Sequence, residues 1–228
     1  MPIELENRDS TYLLIMRDGE NRINRSWLND MNTALDEIEE DQAAVGLVTT
    51  GDEKFFSNGL DIDWMMSADT EPISDFVADV ERFFARLLEF PVLTVAACNG
   101  HTFAAGAMLA LCHDLRVMRG DRGFFCLPEI DIKIPFTFGM DALVRSKLSP
   151  QTAHESMVTG RRYGGFEAAD RQIIDEAVRA EKVVERSLEL AAIAGGKDRS
   201  VMATIKRRSY RKVIDLLANS SGTVPMGS

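Results

Sequence analysis

Two short stretches set backbone N–H donors beside hydrophobic runs. In FFSNGLDIDW (55–64) an Asn58-Gly59-Leu60 turn follows a strand-like run, and in HTFAAGAMLALC (101–112) Ala104-Ala105-Gly106 opens an apolar helix-like segment. The first residues of a helix have N–H groups with no intrahelical acceptor, so both turns can aim donors at one point in space. Gly59 lets the first turn be sharp. Asp61 and Asp63, just beyond it, suit the capping of a short helix better than chemistry.

Other chemistries lack their residues. No serine or cysteine sits in a nucleophile elbow, and no glycine-rich phosphate loop occurs. Cys98, Cys112 and Cys126 are odd in number, widely spaced and set among apolar residues, so they read as buried thiols and not as a disulfide frame or metal site. His101 precedes the second turn and is either a ligand contact and secondary acid or a loop histidine held by backbone; His113 and His154 read as structural or exposed.

These turns need a scaffold of alternating strands and helices. TYLLIM (11–16), AVGLVTT (44–50), VLTVAAC (92–98) and LRVM (115–118) read as strands. Trp27, Leu28, Met31, Leu35 and Ile38 recur at helical spacing, and so do Ile73, Phe76, Val77, Val80, Phe83, Phe84, Leu87 and Leu88, up to the stop at Pro91. Residues 103–112 predict a short buried helix, RGFFCLPEIDIKIPF a mostly extended segment, and Ser149-Pro150 a helix start. The tail predicts two helices separated by Gly195-Gly196. No linker divides the chain, so the expectation is an α/β core followed by a helical C-terminal part.

The bulk numbers narrow the partners. At 228 residues, 45% hydrophobic and 27% charged, the chain is large enough to bury a sizeable core. Thirty-six acidic against 26 basic residues, a net charge of −10, argue against nucleic-acid and anionic-membrane binding. MPIELENRDS is unlike a signal peptide, and no run approaches the roughly 18 apolar residues of a membrane span. GTVPMGS is unlike the Ser-Lys-Leu peroxisomal address, which leaves a cytoplasmic protein as the expectation.

FFSNGLDI, VLTVAACNGHTFAAGAMLALCHDLRV, LPEIDIKIPF and TGRRYGGFEAADRQIIDEAV, in this order and spacing, resemble the crotonase superfamily, the enoyl-coenzyme A hydratases and isomerases. The pieces lie within residues 12–178, about three quarters of the chain. The resemblance implies a ββα spiral core over residues 1–178 and a helical segment, 179–228, of the same domain. It also implies assembly into homotrimers or hexamers. An acyl-coenzyme A thioester would place its carbonyl oxygen between the Leu60 and Ala105 amides, with Asn58 and Gly59 shaping the first turn. Ala105 stands where the family usually has glycine, yet a main-chain donor survives a methyl on its α-carbon.

In such an enzyme, removing a proton next to the thioester carbonyl makes an enolate, and losing one of two donors to it costs about 3 kcal/mol. Hydratases of the family use two glutamates. Here the first position is Met108 and the second Glu129, so the machinery for adding water is half missing. One carboxylate suffices to carry a proton from C2 to C4 of a 3-enoyl thioester, and this pattern resembles the Δ3,Δ2-enoyl-coenzyme A isomerases of fatty acid β-oxidation, the plant-type branch in particular. Phe124, Phe125, Leu127, Ile130 and Ile134 around Glu129 should raise its pKa and make it a better base; capping a loop or pairing with an arginine such as Arg122 is the bland alternative, and Asp131 the nearest rival.

Coenzyme A arrives as part of the substrate, so no separate cofactor is implied. Arg22, Arg25, Lys206 and Arg207 occupy places comparable to the family's phosphate contacts, although IKRRSYRK also suits a solvated helix face. Trp64, Met65, Met66, Phe83, Phe84, Phe136 and Phe138 could line an acyl slot. Arg171 stands where the family usually ends a helix on glycine. The alternatives are a hydratase or another crotonase reaction, a non-catalytic acyl-coenzyme A-binding protein, and an RNA-binding role resting on the basic tail alone.

Overall fold

The computed structural model describes residues 3–52, 54–67 and 72–223. Among these residues nine strands form two sheets: β1 Ile3–Arg8, β2 Thr11–Met16, β3 Gly46–Gly51, β4 Phe55–Ser57, β5 Leu93–Cys98, β6 His101–Phe103, β7 Leu115–Arg119, β8 Phe125–Cys126 and β9 Glu176–Val178. The larger sheet has the order β1-β2-β3-β5-β7-β9, and β4-β6-β8 form the smaller. Among the strand pairs of the described residues, β1–β2 is antiparallel and the others are parallel.

The helices that connect them are α1 Arg25–Glu40, α2 Ile62–Met65, α3 Ile73–Leu88, α4 Ala105–Cys112, α5 Glu129–Ile132, α6 Phe138–Lys147, α7 Pro150–Thr159 and α8 Gly165–Asp170. After a 3-10 turn, α9 Val183–Ala192, α10 Arg199–Ser209 and α11 Arg211–Ala218 finish the chain. Each circuit adds one strand to the large sheet, one to the small, and then a helix: β3, β4, α3; β5, β6, α4. This is the ββα spiral, and parallel strands within one sheet require such crossovers.

Local chemistry explains the elements that frame the site. Every residue of TYLLIM is buried, as expected for an interior strand covered on both faces. Asn24 caps α1 by accepting from Trp27 N–H, and Trp27 meets Phe83 of α3 edge-on at 5.7 Å. Phe76, Val80, Phe83, Phe84, Leu87 and Leu88 carry α3 into the core; truncating one of the phenylalanines to alanine costs about 3–5 kcal/mol. All eight residues of α4 are buried, which accounts for a helix made of small and apolar side chains. Behind it, α9 packs on β3, β5 and β7, and α11 on α3 and α6.

Four sequence expectations need correction. The segment 122–136 holds two-residue β8 and then α5, because the chain after Pro128 closes a helical turn. Residues 101–103 are a strand, so the buried helix starts at Ala105. The second tail helix breaks at Tyr210 into α10 and α11. Finally, Arg171 keeps an ordinary φ of −86° and Gln172 takes the left-handed φ of 57°, so the absent glycine is compensated one residue later.

Candidate active site

The two turns lie where β4 and β6 leave the small sheet. Ile23 N–H donates to the Gly59 carbonyl at 2.8 Å and Asp61 N–H to the Ile23 carbonyl at 2.9 Å, which pins the backbone on both sides of Leu60. Ser57 Oγ accepts from Gly59 N–H at 3.2 Å and donates to the Asn21 carbonyl at 2.7 Å. Asn58 is held by Glu20 through its side chain at 3.0 Å. Asp61 caps α2, accepting from Trp64 N–H at 3.2 Å.

The second turn carries backbone strain. Ala104 has φ 50° and ψ −125°, a conformation that favours glycine. Its N–H donates to the Cys126 carbonyl at 3.0 Å, and its own carbonyl accepts from Ala107 and Met108 N–H, which starts α4. A Cβ on Gly59, at φ 88°, would stand 2.9 Å from Ala104 Cβ and 3.1 Å from Ala105 N. Glycine there lets the two turns touch. Among the described residues neither Leu60 N–H nor Ala105 N–H has an acceptor, so two free donors stand side by side, one of them at the positive end of α4.

Both turns open on a cavity of about 470 Å³. Leu60, Ala105, Met108 and Glu129 line one part of it, and Met65, Val77, Phe136, Thr137 and Met140 belong to its apolar walls. Glu129 is the first residue of α5 and only 6% exposed. Its Oε2 has no hydrogen-bond partner, and burial pushes its carboxyl up to about 7. A carboxylate in that state is a base without a structural job. Met108 is buried beside it and supplies neither proton nor hydrogen bond.

The basic residues part company. Arg22 lines the cavity, with its guanidinium on Glu20 at 2.6 Å and Asp63 at 2.8 Å. Arg25 does not line it: it pairs with Asp79 at 2.8 Å, lies over Phe76 and borders a separate cleft of about 270 Å³ between α1 and α3. Lys206 is buried, its Nζ donating to the Phe90 and Val92 carbonyls at 3.0 and 2.7 Å and pairing with Asp114 at 2.5 Å. That corrects its reading as a phosphate contact, because a lysine so enclosed ties α10 to the loop before β5. Arg207 is on the surface with Glu89 at 2.6 Å and does not line the cavity.

Of the proposed acyl-slot residues, Met65, Met66 and Phe136 line the cavity. Trp64 packs on Phe76, Phe83 and Phe84 are core, and Phe138 is 76% exposed. Sequence reading missed Ile73 and Val77, which share one face of α3, and Ile132, Ile134, Pro135 and Thr137 as cavity residues; the four-residue spacing of Ile73 and Val77 was the available signal. His101 sits on β6 among Phe55, Phe103 and Phe124, and its Nδ1 has no partner, so it is not the backbone-held loop histidine of one expectation. His113 is structural, bridging the Leu109 carbonyl and Thr49 Oγ1, and burial lowers its pKa to about 4. His154 is exposed and the three cysteines are buried free thiols.

Comparison with known proteins adds to this geometry. A family model described as enoyl-CoA hydratase/isomerase matches residues 11–221. Enoyl-CoA delta isomerase 3 of Arabidopsis thaliana is 36% identical, over 96% of this chain and 98% of its own. The same plant's peroxisomal enoyl-CoA delta isomerase 2 is 34% identical, over 93% of this chain and 94% of its own. Among solved structures, a probable enoyl-CoA hydratase from Mycobacterium tuberculosis superposes with a TM-score of 0.90 at 26% identity, covering 97% of this chain and 93% of that one.

Proposed function

The chain belongs to the enoyl-CoA hydratase/isomerase family, and from that premise we infer that it is an enzyme moving the double bond of a 3-enoyl-CoA into the 2-position. The observation that carries this reading is the Glu129 carboxylate, whose Oε2 has no partner, on the same cavity as Leu60 and Ala105 and with Met108 in place of a second acid.

Ionised Glu129 takes a proton from C2, and the electron pair delocalises into the thioester carbonyl and the C3–C4 double bond. Leu60 and Ala105 N–H groups donate to the resulting oxyanion, and their preorganisation is what makes the dienolate accessible. Glu129, now protonated, returns the proton at C4, the double bond settles between C2 and C3, and the carboxylate is regenerated. The apolar walls exclude water, and the other carboxylate among the described lining residues, Asp63, is exposed and paired with Arg22 at 2.8 Å, so hydration is disfavoured.

Arg22 is the basic side chain best placed for the coenzyme A part of the substrate, which enters as part of the thioester. Homotrimeric or hexameric assembly belongs to the same proposal and is tested by sedimentation. Among the described residues no helix is long and apolar enough to cross a membrane. A cytoplasmic location is also proposed, and the peroxisomal name of one relative gives it no support; imaging of the tagged protein decides.

The test supplies a 3-enoyl-CoA and, separately, a 2-enoyl-CoA, and follows the ultraviolet band of the conjugated 2-enoyl thioester. The band grows in the first cuvette and persists in the second. Decay in the second makes the protein a hydratase, and no change in either leaves an acyl-coenzyme A-binding protein.

A further inference from the structure

Glu81 is a second buried carboxylate, and the proton shuttle makes no use of it. It lies on α3 one turn beyond Val77, which itself lies one turn beyond Ile73, and both of those line the cavity. Glu81 is wholly enclosed, and its two oxygens are both occupied. Thr137 Oγ1 donates to Oε1 at 2.6 Å, and Ser220 Oγ donates to Oε2. No cation pairs with it among the described residues.

Thr137 links this carboxylate to the cavity. It is 2% exposed, lines the cavity beside Phe136 and Met140, and caps α6 by accepting from Met140 N–H at 3.1 Å. Its single hydroxyl hydrogen goes to Glu81, which leaves a lone pair free for the Met140 amide. A Cβ on Gly139 would come within 2.5 Å of Glu81 Oε1, so the first turn of α6 is packed directly onto the carboxylate. On the other side, Ser220 accepts from Gly222 N–H at 3.0 Å, and Gly222 lies against the Ser74 carbonyl of α3. Thus one carboxylate ties together α3, the start of α6 and the segment after α11.

We propose that Glu81 is a positioning residue for acyl-chain selectivity: acting through Thr137, it holds the α6 side of the apolar cavity wall against α3 and so sets how long an acyl chain the site accepts. The inference rests on the reading of this cavity as an acyl-CoA site. The polar groups of the clasp are all engaged with one another, so the wall they hold offers the chain methyl groups and backbone instead of free donors. Loosening the clasp lets α6 shift from α3 and changes the fit of long chains, whereas short chains end before reaching it.

Dissociation constants of saturated short-chain and long-chain acyl-CoA, which cannot turn over, test this without depending on isomerase activity. Glu81→Gln and Thr137→Val should change the long-to-short affinity ratio by roughly tenfold, in line with the loss of a hydrogen bond to a charged group, and Thr137→Ser should restore it. Ser220→Ala, which spares the buried pair, should move the ratio in the same direction by less. An unchanged ratio in the variants that remain folded, or equal weakening at every chain length, overturns the proposal. Turnover of a 3-enoyl-CoA by the unsubstituted protein is scored separately: its absence with these affinity ratios still shifted overturns the isomerase reading and leaves the clasp standing.

Discussion

Glu129 and Glu81 are both buried carboxylates whose pKa burial raises, yet they stand in opposite circumstances. Glu81 has a hydroxyl donor on each oxygen and three chain segments fastened to it. Glu129 has an orphaned Oε2 on the wall of a cavity. An unpaired polar atom in the interior costs stability, so its persistence at one place and not the other separates a group kept for chemistry from a group kept for architecture.

The sharpest way to break that contrast is turnover. Glu129→Gln should lower kcat for isomerisation by about 10²–10⁴-fold, the usual weight of a positioned acid–base group, while Glu81→Gln retains turnover of short-chain substrate. Steady-state assays of the two variants side by side decide it, and comparable losses would erase the distinction.

The pH profile follows from the same asymmetry. Glu129 must be ionised to act, and its carboxyl titrates at about 7 in the folded protein, so kcat/KM should fall about tenfold per pH unit below 7 and level off above it. A plateau reaching down to pH 5 would mean that some other base acts.

Stability should move the opposite way from activity. The folded-state pKa of Glu129 is raised from 4.5 to about 7, so the folded protein holds that proton more tightly than the unfolded chain does. Ionisation therefore costs stability progressively between those values, and the cost is complete above pH 7. Glu129→Gln should gain on the order of 3 kcal/mol at pH 8 in urea unfolding, with most of the gain gone by pH 5. Glu81→Gln should instead lose about 1–3 kcal/mol, since one of its donors then faces an amide N–H₂.

The smallest effect concerns the oxyanion turn. Ala104→Gly relieves the φ of 50° and should raise stability by about 1 kcal/mol in the same unfolding assay. A loss would show that the Ala104 methyl, packed beside Gly59, matters more than the strain.

How much of this was legible in the sequence depended on the length of the signal. The sixteen residues of α3 carry their helical period openly, and the six of β2 read as an unbroken apolar run of strand length. Strand β1, IELENR, has only Ile3 fully buried and charged side chains outward, so it passed as a polar terminus. Strands β4, β6 and β8 are two or three residues long, too short for any period to register. Glu129, Leu60 and Ala105 were reached through motif resemblance, because no local spacing reveals which turns meet in space. Lys206 read as surface charge because its carbonyl partners lie more than 110 residues away in the chain. Glu81 was invisible for the same reason: Thr137 and Ser220 come from distant segments.

The fate of the C2 proton tests the single-carboxylate shuttle most directly. With 3-enoyl-CoA deuterated at C2 and turned over in ordinary water, deuterium should appear at C4 of the 2-enoyl product, because the group that removes the proton also returns it. Protium alone at C4, with turnover surviving in Glu129→Gln, would contradict the account.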